Sequence, residues 1–272
     1  MSRTGTEADL ARCLLFCLVT DFIAAQCEMG YPEPGFDATG LAMVLAMYLS
    51  HLIADYVLQW DRLALWKSRQ YKGVVVHGLI VLAVTWACAL PFDAGWWPWV
   101  LFIWLTHTAV DAIRLRLGKA FPALTLFVLD QAVHLSLITF ALVESGYLTA
   151  PTRLADLAPV LLTDRLLVFA IGLVFVTAPA WVLVEFVVYG LLKGSSPDFS
   201  QAPNKYVSSL ERALMTVSVL LGQIALVPLV ALPRLAMEWR QVAGSPRATV
   251  YVAELLASVA LAVAVGLGLR LV

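Results

Sequence analysis

Long apolar segments alternate with short polar ones along almost the whole chain. A helix needs roughly 20 residues to cross about 30 Å of hydrocarbon, because each residue adds about 1.5 Å. Seven segments from residue 39 onward have this character: 39–60, 74–91, 97–117, 121–143, 165–192, 206–231 and 248–271. The pattern predicts an all-α fold, a polytopic transmembrane helix bundle with seven core spans.

The first 38 residues stand apart from these spans as an N-terminal extension, 1–38. They contain a further apolar segment, 10–27, which is short for a span and is interrupted by two charged residues. We predict one extra helix here, followed by a loop rich in proline and glycine. Residues 39–143 then form a four-helix core, and 144–272 form the three-helix C-terminal half of the same membrane domain.

The composition agrees with a membrane location and excludes nucleic acid as a partner. Hydrophobic residues make up 61% of the chain and charged residues only 14%, and the mean hydropathy is +0.85. A soluble domain is about a quarter charged. The net charge is −1 and no basic patch is interleaved with aromatic residues, so a nucleic-acid surface is excluded. The four cysteines lie in or beside apolar segments without a CxxC spacing, which favours packing over a disulfide framework.

Lysine and arginine residues in short loops predict the orientation of the spans. Loops 61–73 and 114–120 are basic, whereas 28–38 and 91–96 contain neither residue type. The two basic loops are therefore placed in the cytoplasm. Three later arginines would fall on the outer side if every predicted helix crosses, which puts one of the late spans in question.

All four histidines of the chain lie on four successive predicted spans. They are His51, His77, His107 and His134, at intervals of 26, 30 and 27 residues. Three of them have an aspartate four positions away, namely Asp55, Asp111 and Asp130. Residues at i and i+4 lie on one helix face, one turn apart. Counted from the cytoplasmic helix ends, the whole set falls within a slab of roughly 14 Å, as a single site in the bundle interior requires.

Aspartate inside a bilayer is expensive, at about 2.5–3.5 kcal/mol for each unpaired residue, so these side chains should turn inward and pair. Imidazole together with carboxylate suits a divalent ion, with zinc favoured over iron or manganese. The predicted metal ligands are His51, Asp55, His77, His107, Asp111, Asp130 and His134. Gln59 and Gln131 are predicted to hydrogen-bond these ligands or the substrate.

Each polar residue also has a plainer interpretation. A single His–Asp pair is often an interhelical hydrogen bond, and the whole stripe can instead be a proton or ion path. Lys67 is either an interfacial anchor or a substrate ligand. Glu211 is either an additional ligand or a charge favoured by the dipole near a helix start. Three His–Asp pairs and His77 at one depth favour a metal centre over purely structural bonding.

The motifs follow one another in a fixed order. His51-Leu-Ile-Ala-Asp55-Tyr-Val-Leu-Gln59 is followed by Lys67, His77, His107-Thr-Ala-Val-Asp111 and Asp130-Gln131-Ala-Val-His134. Leu210-Glu211-Arg212 and Ala253-Glu254 complete the run in the C-terminal part. In this order they resemble a family of bacterial integral membrane proteins catalogued as a domain of unknown function, over about residues 45–272. The resemblance implies a multi-pass protein of the bacterial inner membrane and carries no established activity.

From these observations we predict an intramembrane metal-dependent hydrolase that acts on a lipid-like or membrane-associated substrate. A metal-activated water attacks the substrate, the catalytic carboxylates are those of Asp55, Asp111 and Asp130, and one that is not a ligand acts as general base. Membrane lipid and that substrate are the expected partners, and the oligomeric state is open. The alternatives are a divalent-metal or proton-coupled transporter and a non-catalytic membrane scaffold or sensor.

Overall fold

Helices make up almost all of the described part of the chain. The computed structural model describes residues 38–117, 121–148, 164–193, 197, 205–245 and 248–272. Within these residues there is no β-strand, and the predicted all-α fold is confirmed. The N-terminal helix predicted at 10–27 lies outside the described residues.

The described residues contain ten α-helices, numbered here in chain order. They are α1 Ala38–Leu52, α2 Asp61–Lys67, α3 Tyr71–Ala89, α4 Trp97–Leu117, α5 Ala123–Glu144, α6 Arg165–Val176, α7 Ala178–Leu192, α8 Lys205–Leu220, α9 Leu226–Val242 and α10 Ala248–Arg270. A π-helical turn, Ile53–Val57, extends α1, and a 3-10 turn, Ala94–Trp96, leads into α4.

Helix α1 is the central element of the bundle. Its span Gly40–Val57 is 61% buried, whereas the spans of α3, α5 and α10 are 39%, 33% and 28% buried. Met43 and Met47 of α1 have no exposed surface. Four other helices contribute to the core around them, through Ala89, Val100, Ile138 and Val168. The helices that carry the other histidines, α3, α4 and α5, are therefore grouped around α1.

The outer surface of the bundle is apolar. Leu79, Leu105, Val128 and Leu129 on α3, α4 and α5 are 51%, 57%, 50% and 52% exposed. Among the described residues, four helices are long and apolar enough to cross a membrane, or five if α6 and α7 count as one bent span. Large exposed apolar surfaces are rare on soluble monomers. The exposed apolar side chains and the long apolar helices together therefore indicate a membrane protein.

The predicted count of seven spans is not confirmed, and the segment 206–231 shows why. Helix α8 ends at Leu220 and α9 begins at Leu226, so no single helix covers this segment. Gly222 has a φ of 80°, a conformation that glycine adopts without steric cost. Its N–H donates to the Val219 carbonyl and the Gln223 N–H donates to the Ser218 carbonyl, the bonds of a Schellman cap. The apolar pattern continues past this point, but the helix does not.

The predicted span at 165–192 is bent. Helices α6 and α7 meet at 44°, and a proline occupies the first turn of α7, where its missing N–H is tolerated. Arg212 of α8, only 1% exposed, reaches the bend. Its Nε donates to the Val176 carbonyl at 2.8 Å and its Nη2 donates to the Thr177 carbonyl at 3.0 Å. The Thr177 carbonyl also accepts from the Trp181 N–H, so Arg212 is needed chiefly for the Val176 carbonyl, which is thereby hydrogen-bonded inside the protein, as a membrane interior requires.

Candidate metal centre

The four imidazoles, each contributed by a different helix, meet inside the bundle. His107 of α4 lies between the others, with ring centroids 4.0 Å from His134, 5.3 Å from His77 and 5.8 Å from His51. All four side chains are buried, with exposures of 0–3%. The structure therefore brings together the four histidines that the sequence distributes over separate spans.

Asp55 reaches this group because the helix changes its geometry just before the aspartate. The Leu58 N–H donates to the Ile53 carbonyl at 2.8 Å, an i→i+5 bond, and the turn Ile53–Val57 is a π-helix. A π-turn inserts one extra residue into a helix and is frequent at functional sites. Here it turns the 6% exposed Asp55 toward the histidines of α3 and α4.

Three ligand atoms of this group have the spacing of a metal site. Asp55 Oδ1 lies 3.2 Å from His77 Nε2 and 3.4 Å from His107 Nε2, and the two Nε2 atoms are 3.2 Å apart. In a tetrahedral zinc site with bonds of roughly 2.0–2.1 Å, neighbouring ligand atoms are about 3.3–3.4 Å apart. A divalent ion therefore fits between Asp55, His77 and His107 without rearrangement of the backbone.

Asp111, one turn after His107 on α4, lies on another side of the same two histidines. Its Oδ2 is 3.5 Å from His107 Nε2 and 3.7 Å from His77 Nε2. The same oxygen is 3.0 Å from Lys67 Nζ, which comes from the short helix α2. The carboxylate is thus buried at 1% side-chain exposure with an ammonium group beside it.

His51 and His134 extend the cluster beyond the first three ligands. The ligand atoms form three overlapping groups, and within each group they lie within 4.8 Å of one another. The groups are Asp55, His77 and His107; His51, Asp55 and His134; and His107, Asp111 and His134. Since Asp55 belongs to two groups, its carboxylate can be shared by two ions.

Asp130 is placed differently from the other two aspartates. Its Oδ2 accepts a hydrogen bond from Arg114 Nη1 at 2.7 Å and another from Gln131 Nε2 at 3.1 Å. It lies 3.9 Å from His134 Nδ1, and among the described residues it belongs to none of the three ligand groups. Asp130 is thus an arginine-paired carboxylate at the edge of the cluster.

The remaining predicted site residues divide between the cluster and the C-terminal helices. Gln131 Oε1 lies 3.3 Å from His51 Nε2, next to the ligands. Gln59 has a buried Oε1 with no hydrogen-bond partner among the described residues. Glu211 accepts a hydrogen bond from Arg234 Nη1 at 3.0 Å and belongs to none of the ligand groups within the described ranges.

Buried polar atoms without hydrogen-bond partners are concentrated at this cluster. Within the described residues they include Oδ1 of Asp55, both carboxylate oxygens of Asp111, Nδ1 of His77 and both ring nitrogens of His134. Such atoms are rare in proteins and call for an explanation such as a bound ion. A metal ion would satisfy Oδ1 of Asp55, one oxygen of Asp111 and one ring nitrogen of His134, whereas Nδ1 of His77 stays free because Nε2 is its candidate ligand atom.

Two residues of the site were not predicted from the sequence. Arg114 follows Asp111 by three residues on α4 and was counted only as a cytoplasmic charge, although its spacing places it on the same helix face. Gly78 next to His77 is the second. A Cβ atom there would lie 2.4 Å from Thr108 Oγ1, so α3 and α4 touch beside both histidines. The sequence signal that could have found Gly78 is a glycine directly beside a candidate ligand on an apolar helix.

The part of the chain that carries this cluster has relatives. Residues 43–156 match a family model described as "Protein of unknown function (DUF3307)". This region fits an uncharacterised family. Searches of curated proteins and of solved structures find no significant match. The expected resemblance is confirmed for 43–156, a region that contains every ligand of the cluster, and the matched family supplies no reaction.

Proposed function

We propose that this protein is a metal-dependent hydrolase of the bacterial inner membrane that acts on a lipid-like or membrane-associated substrate. The observation that carries the proposal is the mutual spacing of 3.2–3.4 Å among ligand atoms of Asp55, His77 and His107. Three protein ligands leave a fourth position for water, which is the arrangement of catalytic zinc, whereas structural zinc sites are closed by four.

The donor set supports zinc over manganese. In the group of Asp55, His77 and His107, imidazole nitrogens outnumber carboxylate oxygens two to one. Manganese prefers oxygen ligands, whereas borderline zinc takes nitrogen and oxygen together. A bound zinc ion lowers the pKa of its water to about 7, so hydroxide is available at neutral pH.

Asp111 is the carboxylate best placed to act as general base. Its Oδ2 lies 3.5–3.7 Å from the two histidine nitrogens, and Oδ1 has no hydrogen-bond partner among the described residues. A water at the open metal position would therefore lie within reach of this carboxylate. The neighbouring Lys67 ammonium favours its charged form.

Metal analysis of the purified protein tests this function. We expect one or two equivalents of zinc in the wild type and less than a quarter of that in His107→Ala. Asp93→Asn is the matched control, since this carboxylate accepts from Tyr147 at the other end of α3. The control should keep its metal. A folded wild type that holds no metal after purification and zinc dialysis removes the proposal.

Transport of a divalent ion is the second candidate, and the bend between α6 and α7 favours it. Interrupted membrane helices accompany the binding sites of many transporters. Uptake of radiolabelled zinc into proteoliposomes separates the two functions. Uptake that saturates and disappears in Asp55→Asn would identify a transporter, whereas metal-dependent hydrolysis without uptake would identify an enzyme.

A further inference from the structure

The ammonium group of Lys67 lies at the edge of the cluster of candidate metal ligands, although its helix lies mostly at the surface. Lys67 ends α2, and its neighbours Trp66 and Ser68 are exposed. The Lys67 side chain is only 13% exposed, and its Nζ is 3.0 Å from Asp111 Oδ2. A lysine that only anchors a helix at an interface extends its amine toward water, whereas this amine points inward.

The position of Lys67 is fixed by close packing of α2 against α3. A Cβ atom at Gly73 would lie 2.5 Å from the Lys67 backbone nitrogen and 2.6 Å from the Trp66 carbonyl carbon. The Trp66 indole N–H also donates to Gln70 Oε1 at 3.1 Å. Gly73 and His77 are four residues apart on α3 and therefore share a helix face. This packing fixes the Lys67 backbone, and the ion pair with Asp111 holds its ammonium group at the candidate ligands before any substrate arrives.

The charges at the centre favour an anionic substrate once metal is present. With neutral imidazoles, the carboxylates of Asp55 and Asp111 and the ammonium of Lys67 leave one net negative charge. Arg114 and Asp130 neutralise each other. One divalent ion therefore makes the centre positive, and a second ion makes it more so. A buried positive centre with an N–H donor stabilises an anion far better than a neutral ester.

The surface next to this cation is suited to the membrane interface. Trp60, Leu65 and Trp66 of the α2 region are 55%, 41% and 38% exposed. Arg62 and Lys72 are exposed beside them. Tryptophan together with basic residues is typical of segments at the headgroup level, where cations attract anionic lipids. The inward-pointing ammonium therefore lies close to the depth at which phospholipid headgroups are found.

We propose that the substrate of this centre is a phosphate ester whose phosphoryl oxygens are bound by Lys67 and the metal. The inference rests on the proposed hydrolase function and specifies its substrate class. Asp111 takes a proton from the attacking water, and the water oxygen bonds to phosphorus. The bond between phosphorus and the ester oxygen breaks, and the electron pair stays on that oxygen. The proton passes from Asp111 to it, so water and ester give an alcohol and a phosphate.

Binding of inorganic phosphate to the zinc-loaded full-length protein in nanodiscs tests the proposal. We expect calorimetry to show that Lys67→Gln weakens phosphate binding at least about tenfold, because a charge-assisted hydrogen bond is lost. Lys67→Arg should keep most of the affinity, and Lys72→Gln, an exposed lysine nearby, should keep all of it. Zinc content is measured first for every variant, so a variant that fails to fold is recognised.

The outcomes separate this inference from the proposed function. A protein without zinc contradicts the function itself, whereas zinc-loaded protein that binds no phosphate, or binds it equally well in Lys67→Gln, overturns only the substrate class. Two substrates then identify the source of the phosphoryl group, and a third tests the ester class. Cleavage of the phosphodiester of phosphatidylglycerol in nanodiscs, detected from its phosphorus-containing products, indicates a lipid, and hydrolysis of p-nitrophenyl phosphate indicates a soluble ester. Zinc-dependent hydrolysis of p-nitrophenyl butyrate alone overturns the inference.

Discussion

Three aspartates that each lie four residues from a histidine in the sequence have different neighbours in the folded protein. Asp55 and Asp111 each lie within 3.7 Å of two imidazole nitrogens. Asp130 is 3.9 Å from one imidazole and 2.7 Å from the Arg114 guanidinium. Asp130 beside Arg114, and Asp111 with the Lys67 ammonium 3.0 Å away, gain less from a metal ion than Asp55, which lies among imidazoles. At the scale of single residues, the nearest cation decides what a carboxylate does.

This difference predicts how the aspartates respond to substitution. Asp55→Asn should lose most of the bound zinc, whereas Asp130→Asn should keep it. Arg114, 33% exposed at its side chain, loses its partner in Asp130→Asn. The loss should cost about 1–3 kcal/mol of stability, near the lower limit because the guanidinium is partly solvated. Zinc content and thermal unfolding in detergent measure the two effects. If a well-folded Asp130→Asn protein loses its zinc, Asp130 is a metal ligand, contrary to this prediction.

At the scale of the helices, the site depends on where neighbouring helices touch. The π-turn after α1 directs Asp55 inward, and the contact at Gly78 brings α3 against α4. Thr108, whose hydroxyl donates to the Trp104 carbonyl, occupies the space that a side chain at Gly78 would need. Small residues let membrane helices approach closely, and here the close approach lies one residue from His77 on one helix and from His107 on the other.

A side chain at Gly78 is therefore expected to separate these two histidines. Gly78→Ala places a Cβ 2.4 Å from Thr108 Oγ1, so either this hydroxyl gives up its bond to the Trp104 carbonyl or α3 and α4 move apart, and we expect the helices to move. Zinc affinity should fall by roughly 10-fold or more, as it does when the support of metal ligands is lost. Zinc titration with a competing chelator measures the change.

Two further variants make this experiment specific. Gly78→Ala combined with Thr108→Ala should recover much of the affinity, because the clashing hydroxyl is removed. Gly268→Ala on α10 is the matched control, since a Cβ there meets no atom within 4 Å. If the double variant binds zinc as weakly as Gly78→Ala, the contact with Thr108 is not the cause.

At the scale of the whole molecule, the metal ligands and the second buried polar centre lie on different helices. The ligands are on α1, α3, α4 and α5, within one compact unit, Ala38–Val272. The second centre is Arg212, which connects α8 to the bend between α6 and α7 and to Ser258 of α10. It donates to two backbone carbonyls and to the hydroxyls of Ser209 and Ser258. The second centre therefore supports the bundle, whereas the first holds the candidate metal ligands.

Arg212→Met is expected to lower stability without removing zinc. Methionine fills much of the volume but leaves the buried Val176 carbonyl without its donor, at about 1–3 kcal/mol, while the Thr177 carbonyl keeps the Trp181 N–H. The thermal unfolding temperature should fall clearly, and zinc content per folded protein should stay at the wild-type value. Arg165→Gln, at an exposed arginine at the start of α6, should change neither. Equal zinc loss and destabilisation in Arg212→Met would show that the two centres are coupled.

The membrane helices and their approximate bounds could be predicted from the sequence because hydrocarbon requires a continuous apolar run of known length. The predicted 97–117 and 121–143 correspond to α4 and α5 within two residues at each end. The prediction of 206–231 as one helix was wrong. Hydropathy measures whether a residue tolerates lipid. It carries no information about backbone angles such as the left-handed φ of Gly222, which ends α8.

Residue types and their order along the chain established that imidazoles and carboxylates lie on successive apolar helices, since burial of so many ionisable groups requires partners. Only the folded bundle decided which partner each group obtained. Helix rotation, the π-turn at Asp55 and the contact at Gly78 set distances of a few ångströms between segments up to 83 residues apart, His51 and His134. These distances depend on interhelical packing, which local sequence spacing does not encode.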